Sequence, residues 1–415
     1  SIRTDGSSVF GKDVRWGTFQ SVRLGWAFSE EPLLKKMWWL SFAKLRASWG
    51  KSGQKFQEPY LALGVMEKSN TFNGTLGLIP QEIANSRLTW EESDQYDLGL
   101  DFQVLDYRLK FKLDYYYKYS SKLLMQTYLP GDVFFSERAW NNASALSNEG
   151  IEFEMQADLI RKKDLTWSVG FNLSHNRNLF RKTIDGEDLN DKVLGRSVYG
   201  IYTYKDEGIV QTEDQIPMYY TQSGSVMPLY FGQANNPLRV GGRKIKDQNG
   251  DGVIDNKDLY YAGSTMPAMY GGLSSSLTWK GFNVDVLFSY TLGRKVMNMV
   301  KGGALSFTRK FGVIMNKFNK DDYWRPDNRT AKLPSLEFAD MSYIGQFDGN
   351  VDSNIENISF VRLKQFVVGY TLPEKWFKSF FIKSMNVYLS GENIFLISNY
   401  SGVDPEIIDP YTGKD

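Results

Sequence analysis

Apolar and polar residues alternate along several long stretches of this chain. From 96 to 104 every second residue is apolar, and those between are Asp97, Gly99, Asp101 and Gln103. A short segment at 105–108 follows, and the alternation resumes over 109–117. Successive side chains of a β-strand point to opposite faces. The pattern therefore predicts a hairpin with one apolar and one polar face.

The same unit occurs twice more. Segments 151–159 and 167–173 alternate on either side of a basic turn at 161–164, and a third hairpin is predicted over 273–290. Weaker strand candidates lie at 22–28, 45–49, 361–370 and 385–389. Several strands keep their pattern for about nine residues, which is enough for a tilted strand to cross a bilayer. Soluble sandwich strands are shorter, commonly about five or six residues.

The connections between predicted strands are of two sizes. Hairpin turns are short, whereas the segments between hairpins are long and rich in Gly, Asn, Asp and Tyr: 51–87, 122–148, 176–266 and 295–354. Short turns at one end and long loops at the other are typical of outer-membrane barrels. We predict an all-β fold, a transmembrane antiparallel β-barrel with long extracellular loops. A soluble antiparallel sandwich produces the same alternation and is the alternative.

Composition narrows the possible functions. Aromatic residues make up 15% of the chain, a content compatible with the aromatic girdles of a membrane barrel. The 49 Lys and Arg balance 48 Asp and Glu, so no broad basic surface favours nucleic acid. Cysteine is absent and His175 is the single histidine, which excludes thiolate chemistry and metal sites that need two imidazoles. We predict no catalytic residues and no enzymatic activity.

The sharpest local motif runs from 247 to 258. Its oxygen donors occupy positions 1, 3, 5, 7, 9 and 12 of a calcium loop, the seventh through a backbone carbonyl: Asp247, Asn249, Asp251, Val253, Asp255 and Asp258. Asp258 stands where EF-hands place a glutamate, and no flanking helices are evident. We predict a structural Ca²⁺ site. The alternative is an Asn/Gly/Asp-rich turn that binds no ion.

Side chains for contact with a solute are also predicted. Lys110, Lys112, Asp114, Glu152, Glu154 and Asp285 are expected to form a hydrated wall on the polar face. In the long loops, Tyr219, Tyr220, Tyr230 and Phe231 are expected to stack on sugar faces, or else to pack against a partner protein.

Several segments are similar to the C-terminal half of SusC/RagA-type TonB-dependent outer-membrane transporters of the Bacteroidota. They occur in the family's order along nearly the whole chain: 45–53, 88–91 leading to 95–101, 148–152, 204–211, the loop from Asp247 with Gly263, 323–327, 360–363 with 369–373, and 387–393. Each match is modest by itself, and the set is specific.

The resemblance implies TonB-dependent active import of a large nutrient, an oligosaccharide or a peptide, across the outer membrane of a Gram-negative bacterium. It also implies a barrel of about 22 strands that surrounds a plug domain. The implied partners are a SusD-like surface lipoprotein and the TonB-ExbB-ExbD complex, with outer-membrane lipid around the barrel. We expect residues 1–415 to form the C-terminal portion of the barrel, with the plug, the N-terminal barrel half and the final strand outside this sequence.

A contrasting hypothesis assigns the chain to secreted soluble proteins. It would then be a β-rich glycan-binding protein or a polysaccharide-degrading enzyme. The two hypotheses differ in the apolar face that carries Leu98, Leu100, Phe102, Phe111 and Leu113, which a soluble protein has to cover and a barrel exposes to lipid.

Overall fold

The computed structural model describes residues 1–57, 60–64, 66–72, 74–80, 83–128, 138–189, 192–221, 223–232, 236–299, 320–335, 350–376, 382 and 384–408. The chain divides into two compact units. The first, here the sheet unit, contains described residues of 1–198, 269–290 and 361–396. The second, here the loop unit, contains those of 199–268, 291–360 and 397–415.

The described secondary structure is almost entirely β. In chain order the strands are β1 (Ile2–Gly6), β2 (Trp16–Trp26), β3 (Leu40–Gln54), β4 (Met66–Phe72), β5 (Thr75–Pro80), β6 (Glu91–Val104), β7 (Leu109–Tyr128), β8 (Arg138–Lys162), β9 (Leu165–Lys182), β10 (Gly200–Thr203), β11 (Asp206–Ile209), β12 (Met218–Tyr220), β13 (Val226–Pro228), β14 (Tyr230–Phe231), β15 (Arg243–Ile245), β16 (Val253–Ile254), β17 (Tyr260–Ser264), β18 (Met269–Trp279), β19 (Phe282–Met297), β20 (Ile355–Thr371) and β21 (Asn386–Ser398). Short 3-10 turns lie at Lys12–Val14, Phe28–Glu30, Glu213–Gln215, Asn256–Asp258, Lys320–Asp322, Asp352–Asn354 and Glu374–Trp376. Within these ranges, no helix has the length and apolar character needed to cross a membrane.

Eleven strands form one large sheet in the described part of the chain. Their order is β1-β2-β3-β6-β7-β8-β9-β18-β19-β20-β21, and the pairs from β1 through β18 are antiparallel. Neighbours in the sheet are therefore neighbours along the chain once the smaller strands are set aside. The three predicted hairpins are confirmed as β6–β7, β8–β9 and β18–β19, and the four weaker candidates lie in β2, β3, β20 and β21.

The register divides the side chains of this sheet into two faces. On one face Leu100 lies opposite Leu113, which in turn lies opposite Phe153. The face continues as a row of rings, with centroid distances of 6.1 Å from Phe111 to Phe153 and 6.3 Å from Phe153 to Phe171. Leu113 remains 43% exposed although it is central in the sheet. An exposed apolar face of this extent is the surface that lipid covers in a membrane barrel.

The opposite face is polar along the same strands. The adjacent register position places Asp101 opposite Lys112 and Lys112 opposite Glu154. Two residues further along β7, on the same face, Asp114 lies opposite Glu152. The predicted separation of the two faces is therefore confirmed over β6, β7 and β8.

The strands extend further than the alternation indicated. β7 continues to Tyr128, β9 continues to Lys182, and only residues 163–164 separate β8 from β9 where a turn over 161–164 was predicted. Backbone pairing continues after the side-chain pattern has become polar, as where Asn148 lies opposite Asn178. The predicted loop boundaries were wrong for this reason, because a ladder needs backbone groups and not apolar side chains.

Tight turns connect the two strands of each hairpin. Leu105, Asp106 and Tyr107 all have positive φ, between 54° and 63°. At the β18–β19 turn, Gly281 has a φ of 93°, and a Cβ there would lie 2.9 Å from the carbonyl oxygen of Thr371. Only glycine fits this position without displacing backbone.

The loop unit has a core of its own, although its sequence was predicted as long loops. Short paired strands, β10–β17, β11–β15, β12–β13 and β14–β16, surround a buried cluster. The cluster consists of Tyr204, Val210, Leu229, Phe231, Leu238, Ile245, Ile254 and Val351. These strands are two to five residues long, too short for an alternation pattern to reveal them.

The two-faced sheet predicts how single cysteines will react in the full-length protein in membranes. Cysteine at Phe111 or Phe153 should react with a lipid-soluble maleimide, and cysteine at Lys110 or Glu152 should react with a water-soluble one. The natural sequence contains no cysteine, so each variant reports one site. If cysteines at the neighbouring positions 110 and 111 of β7 reacted with the same reagent, the assignment of faces would be contradicted.

A charge on the apolar face should destabilise the barrel more than a change on the polar face. Phe111→Arg should lower the free energy of unfolding, because the guanidinium is placed in hydrocarbon; the cost reaches about 2–4 kcal/mol at the bilayer midplane and is smaller near the short-turn end, where Phe111 lies. Lys112→Ala at the adjacent position should cost much less. Urea titration of the full-length protein in lipid vesicles measures both, and equal losses would refute the assignment.

Candidate functional site

The polar face of the sheet unit carries a network of ion pairs around Arg46. Its guanidinium donates to both carboxylate oxygens of Asp101, from Nε at 2.9 Å and from Nη2 at 3.0 Å. Nη2 also donates to Oδ1 of Asp114 at 2.8 Å. The three residues lie on β3, β6 and β7, so one arginine joins three neighbouring strands. A bidentate pair of this kind fixes the orientation of both partners.

Gly99 leaves the space that this network occupies. A Cβ at Gly99 would lie 2.4 Å from the Asp114 carboxylate and 2.6 Å from the guanidinium carbon of Arg46. A side chain here would therefore displace the ion pairs. The glycine in the polar half of the alternation is explained by this close approach.

An open pocket of about 810 Å³ lies on the same face. Cationic, anionic and neutral polar side chains line it, among them Arg23, Arg46, Asp97, Tyr116, Glu152 and Asn176. Tyr116 donates from its hydroxyl to Oδ1 of Asn176 at 3.0 Å. A wall that offers hydrogen-bond donors, hydrogen-bond acceptors and charges of both signs is suited to contact with a hydrated polar solute or a polar protein surface.

The loop at 247–258 is organised by its own carboxylates. Asp247 accepts amide hydrogen bonds from Gly250 at 2.6 Å and from Gly252 at 2.8 Å. Asn249 accepts from the amide of Asp251, and Asp251 accepts from the amide of Val253 at 2.9 Å. Gly250 and Gly252 have φ of 79° and 83°, which lets the loop turn twice in succession.

Asp258 is fully buried beneath this loop. Its two carboxylate oxygens accept from the amides of Gln248 and Asp255, each at 2.8 Å. Burial is the first cause that raises the pKa of Asp258, and the charges of Asp247 and Asp251 add to it against the opposing amide hydrogen bonds. Asp255 accepts from the amide of Lys257 at 2.7 Å and caps the short 3-10 turn.

The predicted ligands therefore share one loop but use their oxygens on backbone amides. Among the described residues, no three acidic or histidine side chains converge as a metal cluster. The Ca²⁺ assignment stays a prediction.

The four aromatic residues predicted to stack on sugars occupy different environments. Tyr220 is 82% exposed and Tyr230 is partly buried. Phe231 is 4% exposed within the loop-unit core, so it presents no ring face to a ligand, and the expectation of an exposed platform is wrong at this position. The Phe231 ring packs against the other apolar residues of this core instead.

Tyr219 belongs to the Asp247 loop more than to the surface. A Cβ at Gly252 would lie 2.9 Å from the Tyr219 ring, so the ring lies directly over the loop backbone. Burial, then the hydrogen bond from its hydroxyl to Asp247 and the nearby carboxylates, raise the pKa of Tyr219 to about 12. Its role is to support the loop.

A polar junction around Asp352 was not found in the sequence analysis. Asp352 accepts from Lys205 Nζ at 2.6 Å, from the amide of Asp206 at 2.9 Å and from the Tyr260 hydroxyl at 2.8 Å. Asp206 in turn pairs with Arg243. Residues 205 and 352 lie 147 positions apart, and no local pattern links them.

These features together define a class of protein. A long antiparallel sheet with an exposed apolar face, a charged polar face, and alternating short turns and long connections is a transmembrane β-barrel sheet. The sequence matches the family described as "TonB dependent receptor-like, beta-barrel" over residues 1–394. The chain belongs to this family, as the resemblance implied.

Named relatives agree with the family assignment. TonB-dependent receptor P39 of Formosa agariphila is 29% identical over 447 residues, which cover 98% of this chain and 41% of that protein. TonB-dependent receptor SusC of Bacteroides thetaiotaomicron is 31% identical, covering 98% of this chain and 39% of that protein. The chain thus spans about two fifths of the length of these relatives.

A solved structure shares the fold. "Structure of the RagAB peptide transporter" superposes with a TM-score of 0.77 at 22% identity, covering 100% of this chain and 43% of that chain. The predicted all-β barrel fold and outer-membrane location are confirmed by the family. The family is that of TonB-dependent receptors of the outer membrane, so the alternative of a secreted soluble glycan-binding protein or polysaccharide-degrading enzyme was wrong.

The junction at Asp352 predicts a pH dependence of the loop unit. Burial alone would raise the pKa of Asp352, but the hydrogen bonds from Lys205, Asp206 and Tyr260 outweigh it and lower the pKa. Because the pKa of Asp352 is lower in the folded than in the unfolded protein, its ionised form stabilises the loop unit at pH values above the ordinary carboxyl pKa of about 4. This stabilisation is lost as the pH falls below about 4 and through the folded-state pKa.

Hydrogen exchange of the full-length protein in detergent tests this dependence. Protection of amides at 203–206 and 350–354 should fall on acidification through that range. Asp352→Asn should lower their protection about tenfold at pH 7, as one lost buried acceptor predicts. Asp214→Asn, in an exposed 3-10 turn, is the matched control. Equal protection in all three proteins would show that the junction does not hold these segments.

Proposed function

We propose that this chain is the C-terminal barrel portion of a TonB-dependent importer that takes up a large polar nutrient, an oligosaccharide or a peptide, across the outer membrane. Family membership over residues 1–394 carries this proposal. The polar face supports it, because a hydrated solute needs a wall with donors and acceptors. No covalent chemistry is required of any residue.

We further propose that the complete protein works with a SusD-like surface lipoprotein and with the TonB-ExbB-ExbD complex. A relative is named SusC, and a protein of the same fold is described as a peptide transporter. The exposed side chains of the β12–β13 hairpin in the loop unit, including Tyr220, offer a contact surface. The nutrient class stays open between glycan and peptide.

Uptake by the native bacterium tests the proposal. Strains that lack or overproduce the full-length protein are offered fluorescently labelled casein peptides and labelled polysaccharide fragments. One of the two pools should enter faster on overproduction and slower on deletion, and TonB depletion should abolish the difference. Uptake that ignores the level of this protein, or that persists without TonB, would contradict it.

For the Asp247 loop, we propose a structural Ca²⁺ ion. Each carboxylate oxygen of Asp258 accepts one amide hydrogen bond and keeps a lone pair for a cation, and so does the Asp247 oxygen to which the Tyr219 hydroxyl does not donate. Burial is the main cause of the raised pKa of Asp258, and the charges of Asp247 and Asp251, which a bound cation would offset, contribute to it. Calcium suits a loop of flexible oxygens better than magnesium, which requires near-octahedral geometry.

Calcium should protect this loop of the full-length protein from proteolysis within 247–258. Asp251→Ala should weaken protection at least about tenfold, because one ligand residue and two loop hydrogen bonds, from Asn249 and from the amide of Val253, are lost. Asp214→Ala should behave as wild type. A high-resolution map should place the loop oxygens about 2.3–2.6 Å from one centre. Identical cleavage with calcium and with chelator would show that the loop is an ordinary Asn/Gly/Asp turn that binds no ion.

A further inference from the structure

The short turns at one end of the sheet unit are joined into a continuous rim. We define the basic rim as residues 105–108, 161–164 and 279–282. Nη1 of Arg161 donates to the carbonyl of Asp106 at 3.5 Å, which joins the first turn to the second, and the amide of Asp158 in β8 donates to the carbonyl of Arg108 at 2.7 Å. The amide of Lys280 donates to the carbonyl of Asp164 at 3.0 Å, which joins the second to the third.

Positive charge is concentrated on this rim. Its twelve residues include five basic ones against two acidic ones, in a chain whose total charge is only +1: Arg108, Arg161, Lys162, Lys163 and Lys280 against Asp106 and Asp164. All seven are exposed. Arg161 lies 3.7 Å from Asp158. Within the described ranges, Lys162 and Lys163 form no ion pair, so their charges are available to an external anion.

Exposed rings lie beside these charges. Tyr107 and Trp279 are each 51% exposed, and Phe282 is 47% exposed. The Lys280 ammonium lies 6.0 Å from the centroid of the Trp279 ring. Tyrosine and tryptophan rings favour the boundary between hydrocarbon and lipid headgroups. The rim therefore combines groups that reach acyl chains with groups that reach phosphate.

We propose that the basic rim binds anionic phospholipid headgroups, of the phosphatidylglycerol type, in the inner leaflet of the outer membrane. The short turns of an outer-membrane barrel lie on the periplasmic side, where the phospholipid leaflet is. Basic residues close to a membrane surface are attracted to anionic lipid. In this rim the cations can contact the phosphate of a lipid while the neighbouring rings contact its acyl chains. The inference concerns lipid contact and goes beyond the proposed transport.

Spin-labelled lipids measure this preference directly. The full-length protein is reconstituted in phosphatidylcholine vesicles containing a minor fraction of spin-labelled phosphatidylglycerol or phosphatidylcholine. The motionally restricted fraction gives their relative affinity. Phosphatidylglycerol should be favoured at least about fivefold at low salt, and the preference should fall as salt screens the charges.

Variants separate charge from structure. The triple change Arg161→Gln, Lys162→Gln and Lys163→Gln should remove most of the preference, and Lys162→Arg with Lys163→Arg should retain it. Lys257→Gln, in the loop unit, controls for a charge removed elsewhere. Resistance of the folded barrel to dodecyl sulfate verifies folding, and Lys163→Gln alone, with a partial loss, replaces the triple variant if that fails to fold.

Several results would overturn the proposal. They are equal affinity of the wild-type protein for both lipids, an unchanged preference in the folded glutamine variant, and loss of preference in the arginine variant. Complete competition by inorganic phosphate would show an anion site and not a lipid site. Transport can fail or succeed independently of each outcome, because lipid affinity is measured without a nutrient.

Discussion

The structure depends on the requirement that every backbone N–H and C=O within lipid be hydrogen-bonded inside the protein, since each unpaired group there costs several kcal/mol. The continuous ladder from β1 to β21 meets this requirement for the paired strands of the sheet. The requirement accounts for the roughly 9–11 residues of each strand that cross the bilayer, and β7 and β8, with 20 and 25 residues, continue their pairing beyond it. Side chains are then free to differ completely between the two faces.

The alternation made the sheet predictable from sequence. At Leu98 to Phe102 each residue's face can be assigned from its parity, and the register places Leu100 opposite Leu113 as that assignment requires. The ends of the strands were not predictable, because the polar ladder at Asn148 and Asn178 has no apolar face. The core of the loop unit was also missed, since Phe231 and Ile254 lie in strands of two residues.

In the candidate sites, too, contacts between residues close in sequence were predictable and contacts between residues far apart in sequence were not. The Asp247 loop was visible because its oxygen donors lie within twelve residues, although the structure shows their oxygens accepting backbone amides. The ion pairs of Arg46 with Asp101 and Asp114, and the junction at Asp352, join residues far apart in the chain. Charges with many possible partners cannot be paired from one sequence. Glycine at 99 was a usable signal, because a residue without a side chain on a polar face marks a close approach.

The central claim is that one face of this sheet touches lipid and the other does not. Photoactivation of diazirine-labelled acyl chains around the unmodified full-length protein, followed by peptide mass spectrometry, tests it most directly. We expect carbene adducts on alternate residues, at Leu98 and Leu100 of β6 and at Leu113 and Tyr115 of β7, and none at Asp97, Asp101, Lys112 or Asp114. Adducts on both parities of these strands, or on neither, would contradict the account.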